Sequence, residues 1–283
     1  MERVTIIGTG LIGASVGLAL RSRGFAGEIV GWDSDASELK TALEMGAIGE
    51  AARSEDAAIH AAQAADVVVL AVPVMGILDW MRKLAMVMGP RQLLTDVGST
   101  KLEIVRQAKS LYSGKTEARF LAGHPMAGKE SGGAALAEAN LFEGAMWLFT
   151  PRTDEAHANE KEWREWVTKF GCRTMEMRAD RHDEMCAWVS HLPQMVATAM
   201  SAMFEEKFGG DEELRAVGGR ALREMTRLGA SPYSMWRDVA MTNTAELGKV
   251  LLEFEQRLGH VRENLRSAQL RDEFAKANAF KGR

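Results

Sequence analysis

Residues 3–20 read RVTIIGTGLIGASVGLAL and decide the fold of the first half of the chain. A β-branched apolar run ends abruptly at a GxGxxG sequence, and an apolar pattern with helical spacing follows it. A strand, a glycine-rich turn and a helix in this order form a dinucleotide-binding unit, in which the helix N-terminus faces the pyrophosphate. The expected cofactor contacts of this unit are Gly8, Gly10, Leu11, Ile12 and Gly13.

A second strand, EIVGWD at residues 28–33, ends in a carboxylate twenty residues after the last glycine of this fingerprint. Asp33 can accept hydrogen bonds from a ribose 2′-hydroxyl and would repel a 2′-phosphate, so the sequence favours NAD over NADP. The alternative is that Asp33 only caps the turn that follows its strand.

The strand pattern continues to about residue 179. Residues 66–73 form an apolar run typical of a parallel strand buried on both faces, and Val72 and Pro73 at its end are further expected cofactor contacts. We therefore predict an α/β fold, with a Rossmann-type doubly wound parallel sheet in residues 1–179. Shorter strands are expected at 92–97, 120–123, 145–150 and 172–177.

The segment DVGSTK, residues 96–101, follows one of these strands at the edge of the sheet where ligands bind. Ser99 is a candidate site residue there. Alternatively, the segment only caps the next helix, because Thr100 and Glu103 have the spacing of a capping box.

The segment FLAGHPMAGKESGG, residues 120–133, delivers His124 at the same edge. The segment contains four glycines, and their backbone freedom predicts a loop. Such a loop would present the imidazole to a ligand. Pro125 restricts the backbone of this histidine to extended conformations.

Residues 180–283 are predicted to form an all-helical domain. Apolar residues recur at steps of three and four from residue 185 to 203, and Pro193 should kink this helix near His191. His191 is either a satisfied interior histidine or a ligand-binding one. A later helix places three arginines on one face, which is usually solvated, although a guanidinium also suits a ligand carboxylate. They are Arg220, Arg223 and Arg227.

The composition limits the classes of function that this protein can have. A formal net charge of −4 over 283 residues argues against a general binder of nucleic acid or of membrane surfaces. Cys172 and Cys186 form no metal-binding motif, and we expect free, packed thiols and no metal centre. The N-terminus has no signal peptide and no apolar run approaches the roughly 20 residues that cross a bilayer. We expect a cytoplasmic protein, and its methionine-rich helical half favours a homodimer.

Taken in order, the motifs resemble the prephenate dehydrogenase family, which includes arogenate and cyclohexadienyl dehydrogenases. The resemblance implies a Rossmann domain joined to a helical dimerisation domain, with the active site between them. It also implies NAD-dependent oxidative decarboxylation of prephenate to 4-hydroxyphenylpyruvate, or of arogenate to tyrosine, in tyrosine biosynthesis. The matching segments are GTGLIGAS at 8–15, DVGSTK at 96–101, GHPMAGKESG at 123–132, SHLPQ at 190–194 and TRLGAS with MW at 226–236.

The same resemblance assigns roles to single residues. His124 is implied to be the base that acts on the 4-hydroxyl of the substrate. Ser99 is implied to hydrogen-bond the imidazole or the substrate and so to fix its geometry. Arg227 and His191 are implied substrate contacts, the arginine through a carboxylate. Lys101 is a further candidate for the substrate side.

Two positions depart from the family pattern: Gln194 stands where many members have histidine, and Ala221 where glycine is common. Both are expected near the substrate. One rival function is that of a β-hydroxyacid dehydrogenase, which relies on a lysine where this chain offers His182 and His191. Another rival is a non-catalytic NAD-sensing protein. The joint presence of Ser99, His124 and Arg227 argues against it.

Overall fold

A computed structural model describes residues 1–112, 118–151 and 158–282. Its strands are β1 (Arg3–Ile7), β2 (Glu28–Trp32), β3 (Glu50–Ala51), β4 (Val67–Leu70), β5 (Leu93–Asp96), β6 (Arg119–Pro125), β7 (Met146–Thr150) and β8 (Arg173–Glu176). Together they form an eight-stranded sheet in the order β3-β2-β1-β4-β5-β6-β7-β8. This confirms the predicted doubly wound sheet, to which the structure adds the two-residue strand β3.

The helices that cover the sheet are α1 (Leu11–Ser22), α2 (Ala36–Glu44), α3 (Glu55–Ala64), α4 (Val74–Leu84), α5 (Leu102–Leu111) and α6 (Ala158–Lys169). The helices that follow are α7 (Ala179–Cys186), α8 (Leu192–Phe208), α9 (Glu212–Val217), α10 (Arg220–Thr226), α11 (Tyr233–Thr242), α12 (Thr244–Glu263) and α13 (Ala268–Lys281). We call residues 1–176 the sheet half and residues 179–282 the helical half. The predicted domain boundary between residues 179 and 180 stays a prediction.

The sheet is parallel from β3 to β6 and reverses direction at β7, which pairs antiparallel with β6. The sequence predicted a parallel sheet throughout. The connection over residues 126–145 contains a single 3₁₀ turn, Ala134–Leu136, and no crossover helix. Because a parallel connection needs such a crossover, the chain returns along the same edge in the opposite direction.

The core lies on both faces of the sheet, which explains the continuous apolar runs of the central strands. Val4 and Ile6 pack in one buried cluster, together with Trp147. Ile7 belongs to the cluster on the other face, together with Trp80. Both faces are thus covered in the described part of the chain, and in such a sheet ligands bind beyond the carboxyl ends of the strands.

The helical half has little core of its own. In the part of the chain that the structure describes, its buried apolar cluster consists of Ala187, Leu247 and Val250. α10 and α13 bury no residue. Large exposed apolar side chains of this half include Val217, Met225, Met241, Leu252, Leu258, Phe274 and Phe280. Among the described helices, none is long and apolar enough to cross a membrane.

The long helix predicted around His191 is interrupted where the sequence predicts a kink. A π-helical turn covers Ala187–His191, and α8 begins at Leu192 with Pro193 in its first turn. Proline lacks the backbone N–H that a continuous helix would need, which accounts for the break at this point.

Two aspartates of the helical half cap helices of the sheet half. The Asp183 carboxylate, on α7, accepts the backbone N–H groups of Lys101 at 2.7 Å and Leu102 at 2.9 Å. The Asp238 carboxylate, on α11, accepts the backbone N–H of Met75 at 3.0 Å. α4 and α5 have no side-chain cap of their own, so the helical half supplies the missing acceptors.

Candidate active site

The glycine-rich turn leaves an open backbone surface at the start of α1. Gly8 has a φ of +95°, and a Cβ on Gly13 would lie 1.9 Å from the carbonyl oxygen of Gly8, so neither position admits a larger residue. A Cβ on Gly10 would meet no atom within 4 Å, and this residue precedes α1 without a side-chain cap. Leu11 is buried and Ile12 half-buried in the first turn. The first N–H groups of α1 are therefore available to a pyrophosphate.

Asp33 lies just beyond β2, beside this turn. Its carboxylate accepts the backbone N–H of Thr9 at 2.7 Å and that of Asp35 at 2.9 Å. The bond from Asp35 is the turn cap that the sequence left as an alternative. The two bonds go to different oxygens of a half-buried side chain, which leaves lone pairs for ribose hydroxyls. Val72 packs beside the first glycine of the turn, and exposed Pro73 precedes α4.

His124 lies on β6, so the loop predicted from the surrounding glycines is wrong. β7 pairs with the end of β6, which keeps His124 and Pro125 in the strand, and the predicted extended backbone is confirmed. A Cβ on Gly123 would lie 2.8 Å from the backbone oxygen of Asp96. Glycine at this position therefore allows β6 to approach the end of β5 closely.

Two further side chains continue a hydrogen-bonded chain from His124. Its Nδ1 lies 2.9 Å from Nε2 of His182, whose Nδ1 lies 2.8 Å from Oδ1 of Asp183. All three residues are buried. Because a carboxylate only accepts, His182 donates from Nδ1 and its Nε2 accepts the Nδ1–H of His124. The free lone pair of the His124 ring then lies on Nε2. We call these three residues the histidine chain.

Burial keeps the histidines of this region neutral. It lowers the pKa of His124 well below 6.5, and the nearby His182 and Lys101 lower this pKa further. Burial also lowers the pKa of His182, and that of His191 to about 4. Neutral rings are what the tautomers of the histidine chain require, so the lone pair of His124 is available at neutral pH.

Lys101 occupies a different position from the one expected of a substrate contact. It is fully buried, and its ammonium pairs with the buried carboxylate of Asp96. The same carboxylate accepts the backbone N–H groups of Gly98 at 2.8 Å and Gly123 at 3.2 Å. In this structure the ammonium thus has no surface to offer a substrate, and it instead balances the charge that holds β5 and β6 together.

The capping box considered for Thr100 and Glu103 is wrong. α5 begins at Leu102, and the Thr100 hydroxyl lies 2.7 Å from that of Thr242 in the helical half. Asp183 supplies the cap in place of a local side chain. The segment after β5 is therefore fixed by the helical half.

Ser99 and His191 lie together in the structure. Ser99 is half-buried, and its backbone lies near enough to the buried imidazole of His191 to oppose slightly the lowering of the pKa of that ring by burial. Nδ1 of this ring lies 3.2 Å from Nδ2 of Asn243, which also donates to the Asp183 carbonyl at 2.9 Å. Burial and the contact with Asn243 favour a satisfied interior histidine. A substrate contact for His191 stays a prediction.

Arg227 reaches across to the segment that follows β6. Its side chain is 59% exposed and its guanidinium pairs with Glu130, so the structure brings the two motifs together. Gln194 supports the turn after this arginine: it donates to the Leu228 carbonyl at 2.7 Å and its oxygen lies 3.2 Å from the Ser231 hydroxyl. Ala221, the other departure from the family pattern, is exposed.

The sequence reasoning missed the roles of Asp183 and Asn243 and treated His182 only as part of a rival function. One signal was available: His182 and Cys186 are four residues apart and share a face of α7. Nothing local connects that face to His124, which lies 58 positions earlier in the chain.

The open glycine turn, the carboxylate beyond β2 and the neutral histidine at the same sheet edge define a dinucleotide-binding protein of Rossmann fold. The model of the prephenate dehydrogenase nucleotide-binding domain matches residues 16–176, and that of the prephenate dehydrogenase dimerization domain matches residues 178–279. The chain therefore belongs to the prephenate dehydrogenase family.

Individual relatives agree with this assignment. A prephenate dehydrogenase of Lactococcus lactis is 31% identical over 86% of this chain, which spans 65% of that relative's length. The solved prephenate dehydrogenase of A. aeolicus, in complex with hydroxyphenyl propionate and NAD+, has a TM-score of 0.86 and 28% identity, over 99% of this chain and 97% of that one. A Synechocystis arogenate dehydrogenase is 28% identical with a TM-score of 0.77, over 99% of each chain.

Proposed function

We propose that this protein catalyses the NAD-dependent oxidative decarboxylation of prephenate, or of its amino counterpart arogenate, in tyrosine biosynthesis. The histidine chain carries this proposal, because it holds a neutral imidazole with a free Nε2 at the ligand-binding edge of the sheet. The family assignment supports it, as does the structural likeness to the A. aeolicus protein that holds NAD+ and hydroxyphenyl propionate.

The chemistry suits such a base. The substrate ring carries a hydroxyl on the carbon that loses hydride, and a carboxylate on the opposite ring carbon. Nε2 of His124 accepts the hydroxyl proton as the C–H bond breaks, and the C–CO₂ bond then breaks as the ring becomes aromatic. The turn of residues 8–13 would hold NAD, which would supply the hydride acceptor. Asp183 and His182 keep the proton of His124 on Nδ1 throughout.

The remaining residues orient the reactants. We assign Ser99 to the hydrogen bond that positions the substrate hydroxyl or the His124 ring, and His191 to holding the Ser99 segment in place. Arg227 binds a substrate carboxylate, for which its exposed guanidinium exchanges Glu130. Lys101 acts from the interior, by stabilising Asp96 beneath the base.

The test of this function is His124→Asn, with His60→Asn as the matched control because His60 is exposed on α3. We expect kcat of the first variant to fall about 100-fold or more, with NAD affinity unchanged, as is typical for the loss of a general base. The control should keep full activity. Turnover of His124→Asn at the wild-type rate would remove this histidine from the mechanism.

The choice between the two substrates needs a direct measurement. Initial rates with prephenate and with arogenate, each with NAD and with NADP, give the four values of kcat/KM that decide it. Turnover of neither substrate, in a protein that binds NAD, would favour the non-catalytic alternative instead.

We also propose that the protein is a homodimer that associates through the helical half. The exposed apolar side chains of α9 to α13 and the three-residue core of this half support the proposal, because such a surface needs cover. The family model of this half is a dimerization domain. Sedimentation equilibrium should give twice the mass of the chain, and a monomer at micromolar concentration would contradict it. The cytoplasmic location stays a prediction.

A further inference from the structure

A thiol lies against the two rings of the histidine chain. Sγ of Cys186 is 3.6 Å from Nε2 of His182 and 4.0 Å from Nδ1 of His124, and the two nitrogens are 2.9 Å apart. These three atoms form a triangle of potential ligands for a transition metal, all on buried residues. The proposed reaction uses the hydrogen bond between the two nitrogens but not the thiol.

The size of the triangle fits tetrahedral zinc. With Zn–N of about 2.05 Å and Zn–S of about 2.3 Å, tetrahedral angles separate two nitrogens by ~3.3 Å and nitrogen from sulfur by ~3.6 Å. Each of the three observed distances lies within about half an ångström of these values.

The surroundings are also those of a zinc ligand set. His182 already carries its lone pair on Nε2, the nitrogen that would ligate, because its other nitrogen donates to Asp183. A carboxylate behind a ligating histidine is the usual arrangement. The charges balance as well. One Zn²⁺, the thiolate of Cys186 and the carboxylate of Asp183 sum to zero, while Lys101 is already neutralised by Asp96.

We propose that His124, His182 and Cys186 form an inhibitory binding site for Zn²⁺, with water as the fourth ligand. Binding replaces the S–H bond of Cys186 by an S–Zn bond and releases one proton to solvent. It also requires the Nδ1 proton of His124 to move to Nε2, since Nδ1 becomes a ligand. That shift removes the lone pair on which base catalysis depends, so the zinc form is inactive.

Binding of the metal can be observed independently of activity. Co²⁺, added to protein freed of metals by a chelator, should bind in a one-to-one ratio and show the d–d bands of tetrahedral cobalt with a thiolate-to-cobalt charge-transfer band. Cys186→Ala should abolish the charge-transfer band and weaken Zn²⁺ binding about 100-fold or more, since loss of even an outer-shell partner costs 10- to 100-fold. Cys172→Ala is the matched control, a second buried free cysteine that should leave both signals unchanged.

Enzyme assays provide the second arm, which alone rests on the proposed function. Zn²⁺ should inhibit the wild type and Cys172→Ala equally, whereas Cys186→Ala should keep its activity and lose the inhibition. If Cys186→Ala does not fold, Cys186→Ser retains the volume with a weak ligand and should behave in the same way. Absence of stoichiometric cobalt binding by the wild type, or an unchanged spectrum in the Cys186 variant, would overturn the proposal.

Discussion

The substitution Asp183→Asn examines the histidine chain most sharply, because it keeps the shape of the side chain and changes only what it can accept. The native carboxylate accepts three hydrogen bonds, from Nδ1 of His182 and from the backbone of Lys101 and Leu102. An amide has one acceptor oxygen and one donor nitrogen. Oδ1 accepts from both His182 and Lys101, and Oδ2 accepts from Leu102, so the amide N–H₂ must take the place of one of these acceptors. Where it takes the Oδ1 position, the His182 ring must accept at Nδ1 and hold its proton on Nε2.

The effect on the reaction follows from this change of tautomer. His182 then donates from Nε2 to Nδ1 of His124, and the proton of His124 moves to its own Nε2. The reaction needs a lone pair at that nitrogen to accept the proton of the substrate hydroxyl. Restoring the active tautomer requires breaking a buried hydrogen bond, at about 2.7 kcal/mol, or roughly 100-fold in kcat. The lost charge-assisted bond should also lower the free energy of unfolding by about 2–4 kcal/mol.

A matched variant separates catalysis from stability. Asp238→Asn removes the other buried carboxylate that caps a sheet-half helix. Among the described residues its carboxylate bonds Met75 and Arg237 and no member of the histidine chain. We expect both variants to be destabilised in urea, with kcat at saturating substrate and NAD reduced only in Asp183→Asn. Equal kcat values in the two variants would refute the tautomer argument and leave Asp183 with a structural role alone.

Three further predictions concern the substrate arginine, the cofactor and pH. Arg227→Ala should raise KM roughly 10- to 100-fold through the loss of a charge-assisted carboxylate contact. The control Arg220→Ala, on an exposed arginine paired with Glu224, should leave KM unchanged. A KM for Arg227→Ala near the wild-type value would argue against the contact. Asp33 should make NAD the better cofactor in kcat/KM, and Asp33→Ser should narrow that preference; higher kcat/KM with NADP in the wild type would contradict the prediction. The pKa of His191 is about 4 in the folded protein and 6.5 in the unfolded chain, so the unfolded chain binds more protons between these two pH values. The contribution of neutral His191 to the free energy of unfolding is therefore fully present above pH 6.5 and falls by about 3 kcal/mol by pH 4. Urea midpoints that stay constant from pH 7 to pH 4.5 would disprove the last of these.

What the sequence predicted well depends on contacts between near neighbours. The strand, turn and helix around Gly8 and Gly13 follow from local sterics, and so does the extended backbone before Pro125. The break near His191 likewise follows from Pro193 a few residues later. These expectations are confirmed because each is decided within one or two turns of chain.

What the sequence could not predict depends on packing between distant elements. The loop expected for His124 is a strand because β7 pairs with it, and Asp183 rather than Thr100 caps α5 because α7 packs there. Burial of Lys101 has the same origin. No residue spacing encodes these outcomes, since each partner lies on a separate helix or strand.

The caps from Asp183 and Asp238 also bear on how ligands enter and leave. Parting the two halves would break three backbone bonds to buried carboxylates, at about 1.5 kcal/mol each by the lower estimate for charged acceptors. A state that costs about 4.5 kcal/mol is populated at roughly 0.1% or less. Whole-domain opening is therefore too rare to be the resting exit route. Exchange of substrate and product should instead depend on local motion of exposed segments next to the site. Substitutions in those segments should therefore change the rate of product release.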